Sequence, residues 1–263
     1  MTEPILLRTD DGAIATLTLN APASLNALSL AMLAALSAEI DRLHHDPAIR
    51  VVILRSTGRA FCAGHDLKEI QAARAAPDHG EAAFHDLFAR CAQVMQALSA
   101  MPQPVIAQVH ATAAAAGCQL VASCDLVVAA DSARFGVNGV NIGLFCSTPM
   151  VALTRKIPPA VAFEMLVTGD FLDAARAREV GLVNRVTTPE ALQTVTRALA
   201  ETVASKLGLA VRLGKAAFHA QTGLPLEAAY VQTGAVMVEN LGHPATDEGL
   251  TAFLEKRKPD WPA

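Results

Sequence analysis

Between Pro104 and Ala130 the chain reads PVIAQVHATAAAAGCQLVASCDLVVAA, with one carboxylate and no lysine or arginine. β-Branched residues gather at 105–109 and 126–128, and small residues fill the middle. Alanine is only weakly apolar, and Gln108, His110, Gln119 and Asp125 interrupt the run, so it makes a poor membrane span. Two buried strands with a helix between them account for it better. Strands this apolar need cover on both faces, which predicts an α/β fold.

The flanking segments keep to that plan. AIATLTLN (13–20) alternates as a strand, and LSLAMLAALSAEIDRLHHD (28–46) has helical periodicity. RVVILRS (50–56) reads as a buried strand and TGRAFCAG (57–64) as a loop. AFEMLVTGD (162–170) reads as a helix stopped at Gly169. DAARAREVGLVNRV (173–186) reads as a helix ending at Gly181, a glycine suited to the left-handed position, and then a strand. From about residue 189 the pattern is almost wholly helical. The segment 71–83, with Pro77 and Gly80, is the expected mobile loop, and no repeat of fixed period stands out.

Composition narrows the function. Hydrophobic residues make up 52% of 263 and charged residues 17%, enough for a large interior and for subunit interfaces. The net charge of −4 leaves no basic footprint for nucleic acid. Five scattered cysteines argue against a disulfide framework and for a reducing compartment. Cys118 and Cys124 have no further ligands at metal spacing. The start, MTEPILLRTDDG, follows neither a secretory nor a transit pattern, so the expectation is a cytoplasmic protein with no nucleic-acid or membrane partner. No GxGxxG or GxSxG occurs, and GLAVRLGKA (208–216) only approaches a phosphate loop. His44, His45 and His85 read as solvated helix-face residues.

Two segments run strand, loop, helix: VVILRSTGRAFCAGHDLKEI (51–70) and PVIAQVHATAAAAGCQLVAS (104–123). The first turn of such a helix has N–H groups with no partner inside the helix, and these suit an anion or a developing negative charge. Ala60, Ala63 and Gly64 in one junction, and Ala113 to Gly117 in the other, let a ligand reach the backbone. Close helix–sheet packing asks for the same small residues, so the junctions alone leave both readings open.

AFCAGHDLKEI (60–70), AAAAGCQLVASCDLVVA (113–129), EMLVTGD…A…GLVNRV (164–186) and EGLTAFLEKRKP (248–259) together resemble the crotonase family, the enoyl-CoA hydratase/isomerase-like proteins. The likeness runs from LNAL (25–28) to the C-terminus. Within the family, VNIGLFCSTP (140–149) and AAAAGCQLVASCD (113–125) resemble the enoyl-CoA hydratase domain-containing protein 3 subgroup. The resemblance implies a crotonase-like spiral of ββα units over 1–195. A C-terminal helical oligomerisation region over 196–263 would build homotrimers or dimers of trimers. It implies an acyl-CoA thioester as ligand, with coenzyme A part of the substrate and no separate cofactor. The thioester oxygen would lie between the N–H groups of His65 and Ala116. Substrate contacts fall on Leu25, Ala63, Asp66, Leu67, Lys68, Ala115, Asn138 and Lys256. Ala116 replaces the family's usual glycine, and its amide still donates if φ is negative.

The sequence departs from the family at the two glutamates that hold the hydratase water. The matching positions are Gln119 and Gly139. An amide takes no proton near neutral pH, and loss of one acid–base group costs roughly 10²–10⁴ in rate. Other polar groups near the reacting end are Ser147, Cys146, the His65 imidazole, Asn138 and Asn141. Gln119 ranks first as a polar contact and Ser147 second. Against these stand plainer roles: packing for Cys118 and Cys146, and helix capping for Asp66 and for Ser147 with Pro149 behind it. Lys68 reads plainly as an exposed helix-face lysine. Lys256 and its cationic neighbours would then complement a helix dipole. The chain therefore reads as an acyl-CoA lyase or isomerase with a non-standard site, or as a weak or inactive acyl-CoA-binding regulatory protein. A Ser147 or Cys146 nucleophile hydrolase comes last.

Overall fold

The computed structural model describes residues 3–261. An antiparallel hairpin of β1 (Leu6–Asp11) and β2 (Ile14–Leu19) leads into α1 (Leu30–His44). Three ββα turns follow. The first is β3 (Val51–Ser56), β4 (Ala60–Cys62), α2 (Leu67–Ala73) and α3 (Glu81–Ala100). The second is β5 (Val105–Val109), β6 (Thr112–Ala114) and α4 (Ala116–Ser123). The third is β7 (Leu126–Ala130), β8 (Arg134–Gly136), a 3-10 helix over Asn138–Ile142, α5 (Ser147–Leu153) and α6 (Pro159–Thr168). Then come β9 (Phe171–Asp173), α7 (Ala174–Glu179) and β10 (Arg185–Thr187), and lastly α8 (Leu192–Ala204), α9 (Gly208–Gln221), α10 (Leu226–Gly242) and α11 (Pro244–Leu254).

Each ββα turn gives one strand to each of two sheets. The larger runs β1-β2-β3-β5-β7-β10 and is parallel from β2 onward. The smaller runs β4-β6-β8-β9, with β4, β6 and β8 parallel and β9 antiparallel. This is the expected spiral. The starts of β3, β5 and β7 are unevenly spaced in sequence, which is why no fixed period is visible there.

The central strands of the larger sheet, β2, β3, β5 and β7, are buried on both faces, as their apolar residues require. Val52 and Leu54 enter the main core with α1, α3 and α4, while Val51 and Ile53 join Ile106 and Val128 under Leu192, Leu199 and Ala200 of α8. The expected boundary at 195/196 falls inside α8, which packs on the sheet. Short strands depart from the sequence reading: β4 lies inside the segment taken as a loop, and β6 inside the small-residue stretch taken as loop and helix. Phe61 and Cys62 bury β4 fully, but three residues are too few to reveal a period. Of the segment expected to be mobile, 71–73 close α2 and 81–83 open α3, and the Asp78 carboxylate accepts from the N–H of Gly80 and of Ala82, each at 3.0 Å.

The helices after α8 are less embedded. α10 has no buried residue, and Leu226, Tyr230, Val231, Met237, Val238 and Leu241 stand exposed on it. The C-terminal tail folds back, and Trp261 places its ring against Gly249 while its Nε1–H donates to Ser205 O at 2.9 Å.

The turn before α1 is fixed by one amide. Leu25 and Asn26 both have left-handed φ, and the Asn26 side chain is fully buried. Its Oδ1 accepts from Ala21 N–H at 2.9 Å, and its Nδ2 donates to Thr57 O at 2.7 Å and Ala60 O at 3.0 Å. The chain then pairs with the next loop: Ala63 N–H to Leu25 O, 3.1 Å, and Leu28 N–H to Gly64 O, 2.7 Å. Asn26→Ala leaves three backbone groups unpaired and is expected to lower the urea-unfolding free energy by about 3 kcal/mol.

Candidate functional site

Three parallel strands of the smaller sheet, β4, β6 and β8, end side by side. Their carboxyl ends deliver residues 63–66, 115–119 and 138–139 to one edge, the usual place for ligands in parallel α/β sheets. The first two junctions touch through backbone and Cβ atoms only. A Cβ on Gly64 would stand 3.0 Å from Ala115 Cβ and 3.3 Å from Ala116 N. A Cβ on Gly117 would stand 2.2 Å from Cys62 O, so only glycine fits there. Close packing and access to the backbone are thus the same feature.

Neither the His65 N–H nor the Ala116 N–H has a hydrogen-bond partner among the described residues. Ala116 opens α4, and its N-cap, Ala115, has no side-chain cap. The first turn of α4 therefore presents bare donors at the positive end of a helix. The left-handed φ falls on Ala115 (φ 49°, ψ −119°) and not on Ala116. That conformation is a glycine-type one, and holding an alanine there costs roughly 1–3 kcal/mol.

The polar side chains nearby are few. Gln119 is 4% exposed, and its Oε1 is buried without a partner. The His65 ring stacks edge-on to Phe88, and Nδ1 lies 3.3 Å from Leu28 O. A carbonyl only accepts, so Nδ1 carries the proton and the partnerless, buried Nε2 is left as a lone pair. Burial holds the His65 pKa below its ordinary value, which keeps the ring neutral. Gly139 is closed to any side chain: a Cβ would stand 2.5 Å from Leu144 O and 2.8 Å from Cys146 Sγ. Burial pushes the Cys118 thiol up to about 12 and raises that of Cys146, so neither is a ready nucleophile.

Other expected residues divide. Ala63, Asp66 and Leu67 lie on the first junction, and Asp66 caps α2 by accepting from Lys68 N–H at 2.8 Å. Leu25 adjoins it through the Ala63 bond, and Asn138 follows β8 at the same edge. Lys68 is exposed on α2. Asn141 lies instead beside Gly169, where a Cβ would meet its Oδ1 at 2.8 Å. Ser147 does not cap α5. It is the first helical residue, Cys146 takes the cap position, and Ser147 Oγ turns back to Phe145 O at 3.4 Å. Lys256 lies exposed directly after the C-cap of α11, with φ 56°, and Arg257 is tied to Glu248 and Glu255. Sequence reasoning missed Asn26 and the buried ion pair of Lys215 with Asp125, 2.7 Å. The signal for the latter was a lone lysine inside an apolar helix, GLAVRLGKA.

The described residues contain no cluster able to hold a metal and no helix long and apolar enough to cross a membrane. All five cysteines are free.

A family model described as enoyl-CoA hydratase/isomerase matches residues 9–263. A human relative named enoyl-CoA hydratase domain-containing protein 3, mitochondrial, is 45% identical over 98% of this chain and 83% of its own. Its Xenopus laevis counterpart is 43% identical over 98% of this chain and 86% of its own. A crystal structure titled enoyl-CoA hydratase from Mycobacterium smegmatis has a TM-score of 0.94 at 51% identity, covering 98% of this chain and 99% of that one. The expectation of a cytoplasmic location is corrected by these comparisons, because the vertebrate relatives are named as mitochondrial.

Ala115→Gly is expected to stabilise the protein. Relief of strain outweighs the extra freedom of an unfolded glycine, a net gain of about 1 kcal/mol, read as a rise in Tm of roughly 2–4 °C. Gly139→Ala should act in the opposite sense, lowering Tm in the same scan.

Proposed function

The chain belongs to the enoyl-CoA hydratase/isomerase family, and from that premise we propose that it binds acyl-CoA thioesters at the edge of the smaller sheet. The thioester oxygen lies between the amides of His65 and Ala116. The observation that carries this reading is the contact of the two junctions, Gly64 against Ala116, with both neighbouring amides left without partners. Two such donors in a water-poor site stabilise an enolate, and one of them is worth roughly 10²–10³ in rate.

The chemistry is that of an enolate without paired carboxylates. Gln119 offers an amide to substrate or water, and Gly139 offers nothing. Isomerisation of a double bond or thioester hydrolysis needs fewer protein bases than hydration, so these rank ahead of it. The same two vacancies favour a second reading, an acyl-CoA-binding protein with little turnover. Lys68 and Lys256 supply cations for the coenzyme A phosphates, the latter in a neighbouring copy. The bare apolar face of α10 supports assembly into trimers or paired trimers through the C-terminal helices.

Calorimetry with short and medium acyl-CoAs tests binding; constants between about 1 μM and 1 mM are expected. The conjugated-thioester absorbance and free thiol, followed together, separate hydration, isomerisation and hydrolysis. Absence of any binding would sink the reading. Gln119→Glu is expected to raise hydration only slightly, because position 139 still lacks a second carboxylate; a gain of 10²-fold or more, the size of a whole acid–base contribution, would refute this account.

A further inference from the structure

The helix that carries the Ala116 amide is gripped at its far end by polar and charged groups drawn from three other parts of the chain. α4 ends at Cys124. Lys156, on the turn between α5 and α6, is half-buried, and its Nζ donates to Cys124 O at 2.6 Å and Asp125 O at 3.0 Å. The Asp125 carboxylate accepts from Val105 N–H of β5 at 2.7 Å and from Lys215 Nζ of α9 at 2.7 Å. His219, one turn further along α9, places Nε2 3.2 Å from the other carboxylate oxygen. Lys215 also donates to Leu98 O at 3.0 Å and Gln103 O at 2.9 Å, so all three of its protons are used.

α4 has eight residues, a rod of about 12 Å. Its N-terminal turn is wedged against Cys62 O, where Gly117 leaves no slack. A short rod held at both ends has little freedom to shift along its axis. Without the far-end contacts, only the backbone contact of Gly117 with Cys62 O and the core around α4 would set its placement.

We propose that Lys156, Lys215 and Asp125 are positioning residues for the thioester site: they set the axial placement of α4, and so the aim of the Ala116 amide at the oxygen it shares with His65. This rests on the reading of those two amides as an oxygen-binding pair. Because Lys215 lies on α9, the same contact ties the C-terminal helices to the site.

Acetoacetyl-CoA tests this with the full-length protein. Its enolate has its own ultraviolet band, so titration of the bound probe reports how strongly the site holds a negative oxygen. Lys156→Met keeps the stem and removes the ammonium. It is expected to raise the pH at which the bound probe ionises by about one unit, roughly tenfold less enolate at fixed pH. Asp125→Asn, which keeps the shape of the carboxylate, is expected to move it in the same direction. Leu199→Ala, on the other face of the larger sheet, is a control that lowers Tm and leaves the ionisation in place. Unchanged ionisation in both Lys156→Met and Asp125→Asn overturns the proposal while wild-type binding and ionisation keep the reading of the site intact. An equal shift in Leu199→Ala also overturns it, since the effect would then follow stability alone. Failure of the wild type to bind the probe removes the thioester reading itself and the proposal with it.

Discussion

The candidate site depends on two stretches of chain meeting with no side-chain atom beyond Cβ between them. Gly117 lies on Cys62 O, and Gly64 lies on Ala115 Cβ, Ala114 O and Ala116 N. The separation of the two junctions is set by main-chain and Cβ van der Waals contact, which has no rotamers to lose. The small residues at 113–117 serve that contact first. Their use in exposing amides follows from it, because a chain that can approach another so closely can also be approached by a ligand.

That constraint shapes what the site can do. Hydrogen-bond donors are plentiful at the edge of the smaller sheet, while fixed negative charge is missing at 119 and 139. Position 139 is closed by the structure itself. The Leu144 carbonyl and Cys146 sulfur fill the space a side chain would need, and Leu144 N–H closes the turn on Gly139 O at 2.9 Å. A carboxylate cannot be placed there by one substitution; the 139–146 turn would have to be rebuilt. The two buried acceptors, Gln119 Oε1 and His65 Nε2, leave the polar character of the interior neutral.

How much was legible in the sequence follows the distance between partners. The β-branched runs at 51–54, 105–109 and 126–128 gave away the buried strands, and Gly169 and Gly181 marked helix ends, since each signal is local. β4 was hidden because three residues carry no period. The capping of α5 was misplaced by one residue, a shift that depends on where Ser147 Oγ turns and not on its identity. Asn26 reaches Ala60 across 34 positions and Lys215 reaches Asp125 across 90, and no spacing rule connects such pairs. The location of Ala115's strain, one residue before the amide it exposes, likewise needed coordinates.

The docked tail has an optical consequence. Trp261 is the chain's single tryptophan, and it sits on Gly249 of α11 with its N–H on Ser205, the residue that caps α8. Intrinsic fluorescence excited at the indole therefore comes from one place only. Its emission colour reports whether the end of the chain is seated, with no label attached and no other indole to obscure it.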